Sequence, residues 1–325
     1  MNRDSVIDVS AAAGQAHRES RQGYEVYWLS SAEVNLGVVP ALGAKVISLV
    51  NRRSGREWMS FPGSARQLFG NHLGDDFARS PIAGWDECLP TIAACDWAGI
   101  ARPDHGEVWS IPWQLDEPAW EQKRIHTRVQ LPLTPFQFER TLTLWGSCVT
   151  VDYALTNCSD APQPYLWAMH PLLAVAPGDQ LELPDEAAPL LRNEPWLASL
   201  EFPPAANQCG KVYVHPLRAG RAAVFNPRTG DRLGFEWDAA SCNTLGIWLT
   251  RGGWNGQHHL ALEPATSPHD SLAAAARAGQ CPILSLRETR SWSVRLELSC
   301  KDVPPKVLPT VAPSAESSVV PESKS

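Results

Sequence analysis

The stretch TPFQFERTLTLWGSCVTVDYALTN, residues 134–157, is the most regular part of the sequence and decides its fold class. Before Gly146, every second residue belongs to one face: Phe136, Phe138, Arg140, Leu142 and Leu144. After Ser147 the alternation resumes with Val149, Val151, Tyr153 and Leu155. Period-two alternation on both sides of a short glycine-containing turn predicts a β-hairpin.

The rest of the chain follows the same strand-rich pattern. Residues 33–50 alternate loosely around Gly and Pro, as two strands joined by a turn do, and residues 292–298 alternate again. Only residues 271–279 have strong helical propensity, and Gly279 closes that segment. With 28 prolines and 22 glycines punctuating short strands, the pattern predicts an all-β sandwich or barrel.

Composition excludes several classes of protein. Hydrophobic residues make up 44% of the 325 residues, enough for a sizeable core. The net charge of −7 argues against nucleic-acid binding, which needs a basic face. Because no apolar run approaches about 20 residues and no signal segment is recognisable, we expect a cytoplasmic protein with no membrane partner. The oligomeric state cannot be read from the sequence.

Cofactor motifs are absent from the sequence. The eight cysteines include no CxxC pair, so we interpret them as reduced thiols used as small apolar residues. No GxxxxGK[ST], GxGxxG or GxSxG motif is present. Nucleotide-dependent chemistry therefore has no support in the sequence. Residues 1–22 are predicted to be loosely ordered, residues 23–302 to form one domain, and the Pro/Ser-rich tail 303–325 to be disordered.

Three segments concentrate groups that could carry chemistry. Residues 84–110 hold two acid clusters, Asp86-Glu87 and Asp104-His105-Gly106-Glu107, which fit metal binding, acid–base catalysis or solvated turns. His170 lies in an apolar segment, where a satisfied core histidine is the plain alternative. Glu263 follows an apolar strand and precedes Pro264, so it is predicted at a strand end, a common place for catalytic groups.

Two further patterns leave alternatives open. A metal could bind a set within residues 256–270, although HExxH spacing is missing and neighbouring histidines of a strand point to opposite faces. The members of that set are His258, His259, Glu263, His269 and Asp270. The 14 tryptophans suggest a carbohydrate ligand stacked on indole rings, or only large aromatics filling a core.

Read in order, these segments resemble the aldose 1-epimerase (galactose mutarotase) superfamily. The resemblance spans roughly residues 24–300. It is carried by VNLGVVPALGAKVISLVNRRSGREWM (34–59), GWDECLPTI (84–92), PDHGEVWS (103–110), MHPLLAV (169–175) and ALEPAT (261–266). It implies a β-supersandwich of large antiparallel sheets that binds a monosaccharide or a derivative in a cleft and interconverts its α and β anomers, without metal or cofactor.

The resemblance also implies roles for individual residues. Glu263 matches the base that removes the proton from the anomeric hydroxyl O1, and His170 matches the acid that protonates the ring oxygen O5. His105 matches a second histidine that binds substrate and can share the acid role. The substrate-contact set is Trp85, Asp86, Glu87 and Glu107. Asp86 and Glu87 stand where well-known relatives have Arg and Asn, so galactose specificity does not carry over.

To act as the acid in ring opening, His170 must carry a proton that it can donate to O5. A free His is mostly neutral at pH 7, so His170 must either have a raised pKa or donate as a neutral ring. Asp86, Glu87 and Glu107 are expected to raise it if the fold brings them near. Two other functions remain open: a non-catalytic carbohydrate-binding or sensor protein on the same fold, and a metal-dependent hydrolase or cupin-like enzyme using the set of residues 258–270.

Overall fold

Two large antiparallel sheets dominate the fold in the computed structural model, which describes residues 14–194, 196, 200, 208–254 and 256–301. The ten-stranded sheet runs, in spatial order, β1 (Gln15–Arg21), β2 (Tyr24–Ser30), β3 (Val34–Val39), β4 (Lys45–Asn51), β6 (Trp85–Cys88), β14 (Ala168–Pro171), β20 (His258–Ala265), β19 (Thr244–Arg251) and β16 (Gln208–Val214), with β5 (Arg56–Glu57) beside β4. The eight-stranded sheet runs β15 (Gln180–Glu182), β17 (Gly220–Phe225), β18 (Arg232–Trp237), β22 (Thr289–Ser299), β12 (Cys148–Asn157), β11 (Phe136–Trp145), β10 (Ile125–Gln130) and β9 (Gln114–Leu115).

Smaller elements connect the sheets. Two short ribbons pair β7 (Cys95–Trp97) with β8 (Ile100–Arg102) and β13 (Gln163–Pro164) with β21 (Ile283–Leu284). The helices are α1 (Glu117–Glu121), α2 (Ala188–Asn193) and α3 (Leu272–Arg277), with 3-10 turns at Pro40–Leu42 and Asp185–Ala187. The predicted all-β sandwich is confirmed, because strands far outweigh helices and the two sheets enclose the largest cluster of buried apolar residues.

The predicted hairpin forms the centre of the eight-stranded sheet. Strands β11 and β12 pair from Phe136↔Asn157 to Trp145↔Cys148, and along both strands the buried positions alternate with more exposed ones. The ring of Tyr153 stacks on Phe138 and on Trp292 of β22. Each such fully buried aromatic side chain contributes about 1.5–3 kcal/mol by leaving water.

The structure confirms the predicted helix but not the predicted start of the ordered region. The helix within residues 271–279 is confirmed as α3, and its N-cap Ser271 accepts a hydrogen bond from the backbone N–H of Ala274. Loose order was expected for residues 1–22, but residues 15–21 form β1, since each of them pairs with a residue of β2. That part of the prediction is wrong. Residues 1–13 and the tail 302–325 lie outside the described residues.

Candidate active site

A row of facing residues crosses the ten-stranded sheet through its central strands. His170 of β14 pairs with Asp86 of β6, Glu263 of β20 pairs with Gly246 of β19, and Gly246 pairs with Tyr213 of β16. Between the antiparallel strands β14 and β20 the pair Ala168↔Ala265 sets the register. His170, two residues after Ala168, therefore lies opposite Glu263, two residues before Ala265. Directly opposed residues share a face of the sheet, and we call this face the cleft face.

Glu263 is fully buried between two basic groups. Its Oε1 lies 3.8 Å from Nε2 of His170, and its Oε2 lies 3.0 Å from Nζ of Lys211. Burial raises the pKa of Glu263, and the charge of Lys211 opposes that rise. Space for the carboxylate comes from Gly246, since a Cβ there would lie 2.9 Å from Oε2. The environment therefore produces a carboxylate of enhanced basicity that faces an imidazole.

Lys211 is held by a second acid next to Glu263. Its Nζ lies 2.9 Å from Oδ1 of Asp270, which also accepts a 2.5 Å hydrogen bond from the hydroxyl of Tyr213. Burial alone would lower the pKa of Lys211, but the charges of Glu263, Tyr213 and Asp270 outweigh it and raise the pKa well above its ordinary value. Lys211 is thus a permanent cation beside the buried carboxylate.

His105 enters the cleft from a strained loop. Its φ is +57° and that of Gly106 is +76°, a left-handed pair in which a non-glycine residue is costly. A Cβ at Gly106 would overlap the carbonyl of Leu89, so glycine is required where the loop meets the end of β6. The ring of His105 stacks on Phe77 at 3.8 Å, and its Nδ1 lies 3.1 Å from Oδ1 of Asp104.

The two site histidines lie side by side. The rings of His105 and His170 are 5.1 Å apart at an angle of 74°. Burial, reinforced by the charges of His105 and Lys211, lowers the pKa of His170 well below its ordinary value. The expectation that nearby acids raise this pKa is therefore wrong, because burial dominates.

Asp86, which was predicted to contact the substrate, lies on the same face of the sheet as His170 but is already engaged. Its Oδ2 forms an ion pair with Lys45, whose Nζ also donates a 3.0 Å hydrogen bond to the carbonyl of Ala83. Burial raises the pKa of Asp86 and Lys45 opposes this rise. Its second oxygen, Oδ1, has no hydrogen-bond partner among the described residues. Asp86 is thus a buried neighbour of His170 and not one of the residues that line the cleft.

Glu87 and Trp85 point the other way, into the space between the sheets, which corrects their assignment as substrate contacts. Glu87 accepts hydrogen bonds from Arg140 at 2.9 Å, Tyr153 at 2.9 Å, and the indoles of Trp85 and Trp167 at 3.1 Å each. Three of these hydrogen bonds go to Oε1 and one, from Trp167, goes to Oε2, and all four donors belong to the core. Glu87 therefore joins the two sheets, and Trp85 is fully buried beside it.

Glu107 is likewise structural, and its assignment as a substrate contact is also corrected. Its Oε2 accepts hydrogen bonds from the backbone N–H groups of Leu133 and Thr134, at 2.6 and 3.3 Å, and its Oε1 accepts one from the Thr134 hydroxyl at 2.5 Å. The side chain is fully buried. Glu107 thus fastens the His105 loop to the start of the predicted hairpin.

The cleft itself has a volume of about 190 Å³ and partly aromatic walls formed by Phe77, Trp248 and Trp254. The indole of Trp248 donates a 3.1 Å hydrogen bond to Nε2 of His259, whose pKa is lowered to about 4 by burial. Lys211, Trp248 and Trp254 were missed from the sequence, because each stands in an ordinary strand or turn without a motif.

The structure does not assemble the metal set suggested within residues 256–270. His258 is exposed, and His269 contacts Gln280 at 2.7 Å on the outside of the fold. Among the described residues, one group of three places its ligand atoms within 4.8 Å of one another: Cys88, His105 and His170. No helix in the described part of the chain has the length and apolar character that a membrane crossing requires.

Comparison with known proteins places this architecture. No protein-family model matches the sequence, and no curated protein matches it. A candidate aldose 1-epimerase from Klebsiella pneumoniae subsp. pneumoniae MGH 78578 superposes with a TM-score of 0.64 at 13% identity, covering 88% of this chain and 87% of its own. A galactose mutarotase-like protein from Clostridium acetobutylicum gives 0.62 at 14%, covering 89% and 99%. One from Lactobacillus casei ATCC 334 gives 0.60 at 14%, covering 84% and 100%. The chain therefore has the galactose mutarotase-like fold, a sandwich of large antiparallel sheets.

Proposed function

We propose that this chain is an isomerase of the aldose 1-epimerase type, which interconverts the α and β anomers of an uncharged monosaccharide. The observation that carries the proposal is the pair at the cleft floor, where the buried Glu263 carboxylate lies 3.8 Å from the His170 ring. The structural neighbours named as mutarotase-like proteins support it at the level of the fold. Ring opening needs one proton removed from O1 and one delivered to O5, which a carboxylate and an imidazole can do together.

Glu263 is suited to the role of base. Burial raises the pKa of the carboxylate and makes it a better proton acceptor, while the charge of Lys211 at 3.0 Å opposes this rise and favours the ionised form. After O1 has lost its proton, the ring opens, and rotation about the C1–C2 bond exposes either face of the aldehyde. Closure then returns the proton from Glu263 to O1, so the same group serves both directions.

The acid role falls mainly to His105. His170 is neutral at pH 7, because its pKa is lowered well below the ordinary value. His105 has the Asp104 carboxylate 3.1 Å away as counter-charge for a proton on its ring. We assign His105 as the group that protonates O5, and His170 as a neutral hydrogen-bonding group that orients the sugar.

The lining of the cleft selects the substrate class. Its aromatic walls, Phe77, Trp248 and Trp254, can stack on the C–H faces of a sugar ring. No arginine lines it in the part of the chain that the structure describes, and Lys211 is already committed to Glu263 and Asp270. A phosphate or sulfonate needs such donors. A volume below the range of about 300–1,000 Å³ for drug-sized ligands favours a single sugar ring.

The test is anomeric exchange measured by NMR across neutral, 6-deoxy, 6-phosphorylated and sulfonated aldoses. We expect exchange for a neutral sugar, reduced by about 10²–10⁴-fold in Glu263→Gln and in His105→Gln. His258→Gln is the matched control, since His258 is an exposed histidine on the same strand as Glu263. Sugar binding without exchange in the wild type would instead support the carbohydrate-binding alternative. Anomeric exchange that persists at the wild-type rate in Glu263→Gln would refute the assignment of Glu263 as the base.

A further inference from the structure

Cys88 brings a thiol to the floor of the cleft beside both site histidines. It lies two residues after Asp86 on β6, and residues two apart on a strand share a face. Its Sγ and one ring nitrogen each from His105 and His170 all lie within 4.8 Å of one another. Cys88 is fully buried and His170 nearly so. The acid–base chemistry of the proposed reaction has no use for this thiol.

The three groups match the preferences of a thiophilic divalent cation. Zinc takes thiolate sulfur at about 2.3 Å and imidazole nitrogen at about 2.0–2.1 Å in a tetrahedron, which requires ligand atoms about 3.3–3.6 Å apart. Side-chain rotations that bring the atoms about 1 Å closer would meet that requirement. Strand β6 positions Cys88, strand β14 positions His170, and a loop beside the end of β6 brings in His105.

A fourth ligand is at hand. Oε1 of Glu263 lies 3.8 Å from Nε2 of His170 and, among the described residues, accepts no hydrogen bond. Leaving a fully buried carboxylate oxygen unpartnered is costly. A cation bound by Cys88 and the two histidines would lie close enough to this oxygen to take it as a ligand.

We propose that Cys88, His105 and His170 form a binding site for a thiophilic divalent cation such as Zn²⁺ at the floor of the cleft. Occupancy holds both imidazoles on the metal, so neither can bind the sugar or transfer a proton to it. The cation therefore acts as a reversible inhibitor. This consequence rests on the proposed isomerase function, whereas the metal site itself does not.

Co²⁺ titration of the reduced full-length protein tests the site without any sugar. We expect a thiolate-to-cobalt charge-transfer band that saturates at one Co²⁺ per chain and is displaced by Zn²⁺. The band is lost in Cys88→Ser, and cobalt binds at least 10-fold more weakly in His105→Gln. Cys242→Ser is the matched control, a buried cysteine of the core between the sheets, and keeps the band. Absence of the band from the wild type, or its persistence in Cys88→Ser, overturns the proposal.

Anomeric exchange supplies the second readout. Zn²⁺ is expected to abolish exchange in the wild type, a chelator to restore it, and Cys88→Ser to retain exchange while resisting Zn²⁺ at least 10-fold better. If the wild type shows no exchange with any sugar, the cobalt spectrum still decides the metal site. If it shows exchange but no cobalt band, the metal site alone is wrong. Should Cys88→Ser fail to fold, the His105→Gln spectrum carries the test.

Discussion

Replacing Arg140 by Met tests how the two sheets are held together. Arg140 of β11 and Glu87 of β6 are both fully buried and lie 2.9 Å apart, so their ion pair crosses the interior of the sandwich. Arg140 also donates a hydrogen bond to the carbonyl of Ala44. In Arg140→Met, the Glu87 carboxylate keeps only neutral donors, Tyr153 and two indoles.

The size of the loss follows from the burial of both partners. Removing one member of a buried pair typically costs about 3–5 kcal/mol, because the other charge stays without compensation. The loss depends on pH. Burial raises the pKa of Glu87 to about 7, and Arg140 opposes this rise, so the variant's pKa is higher still. A carboxyl with a raised folded-state pKa takes up a proton on folding, and its stabilisation disappears as pH rises through that pKa.

We therefore expect Arg140→Met to lower the free energy of unfolding by about 3–5 kcal/mol at pH 8 and by less at pH 5, where Glu87 is protonated. Urea unfolding at both pH values measures this. A cycle with Glu87→Gln and the double variant isolates the pair, and the double variant should recover part of the loss. Arg232→Met, which breaks the half-exposed pair with Glu182, is the control and should cost under about 1 kcal/mol. Equal small losses in both variants would refute the reasoning.

Three further predictions concern the cleft and its support. Lys211→Met leaves Glu263 without its counter-charge, so the acid limb of the kcat/KM profile for anomeric exchange should move up by about 1–3 pH units; an unmoved limb means that Lys211 does not tune the base. Gly246→Ala places a Cβ 2.9 Å from Oε2 of Glu263, so exchange should fall at least about 10-fold while circular dichroism stays native, as expected for a small misplacement of a catalytic group. Thr134→Val removes the hydroxyl donor of the buried Glu107 and should cost about 1.5–3 kcal/mol in urea unfolding; a loss near zero would show that the two backbone donors suffice.

The elements predicted best from the sequence are those with one solvent-exposed face. Strands β11 and β12 bury one face only, so the apolar period of two was readable along twenty residues. Helix α3 was readable because Ser271 caps its start and Gly279, with a φ of +65°, follows its end. In both cases a local pattern determines a local structure, and distant residues add little.

The sequence could not show which of Asp86 and Glu87 lies on the cleft face, because their strand has no solvent-exposed face. All four residues of β6 are buried, so the strand has no polar face to indicate which carboxylate points to the cleft. One faces Lys45 on the cleft side and the other faces Arg140 between the sheets. The two adjacent acids therefore lie on opposite faces of the sheet, and only the way β6 pairs with its neighbours shows which acid lies on the cleft face.

The candidate site as a whole depends on sheet order, which local patterns do not encode. The row from Asp86 through His170 and Glu263 to Tyr213 uses β6, β14, β20, β19 and β16, strands far apart along the chain. A slip of one residue in β20 would turn Glu263 into the interior, because side chains alternate between faces. The dense packing on both sides of β20 resists such a slip. The buried sheet thus fixes the base, while His105 comes from a loop whose position depends on the close approach of Gly106 to Leu89 and on the hydrogen bonds of Glu107 to the start of the hairpin.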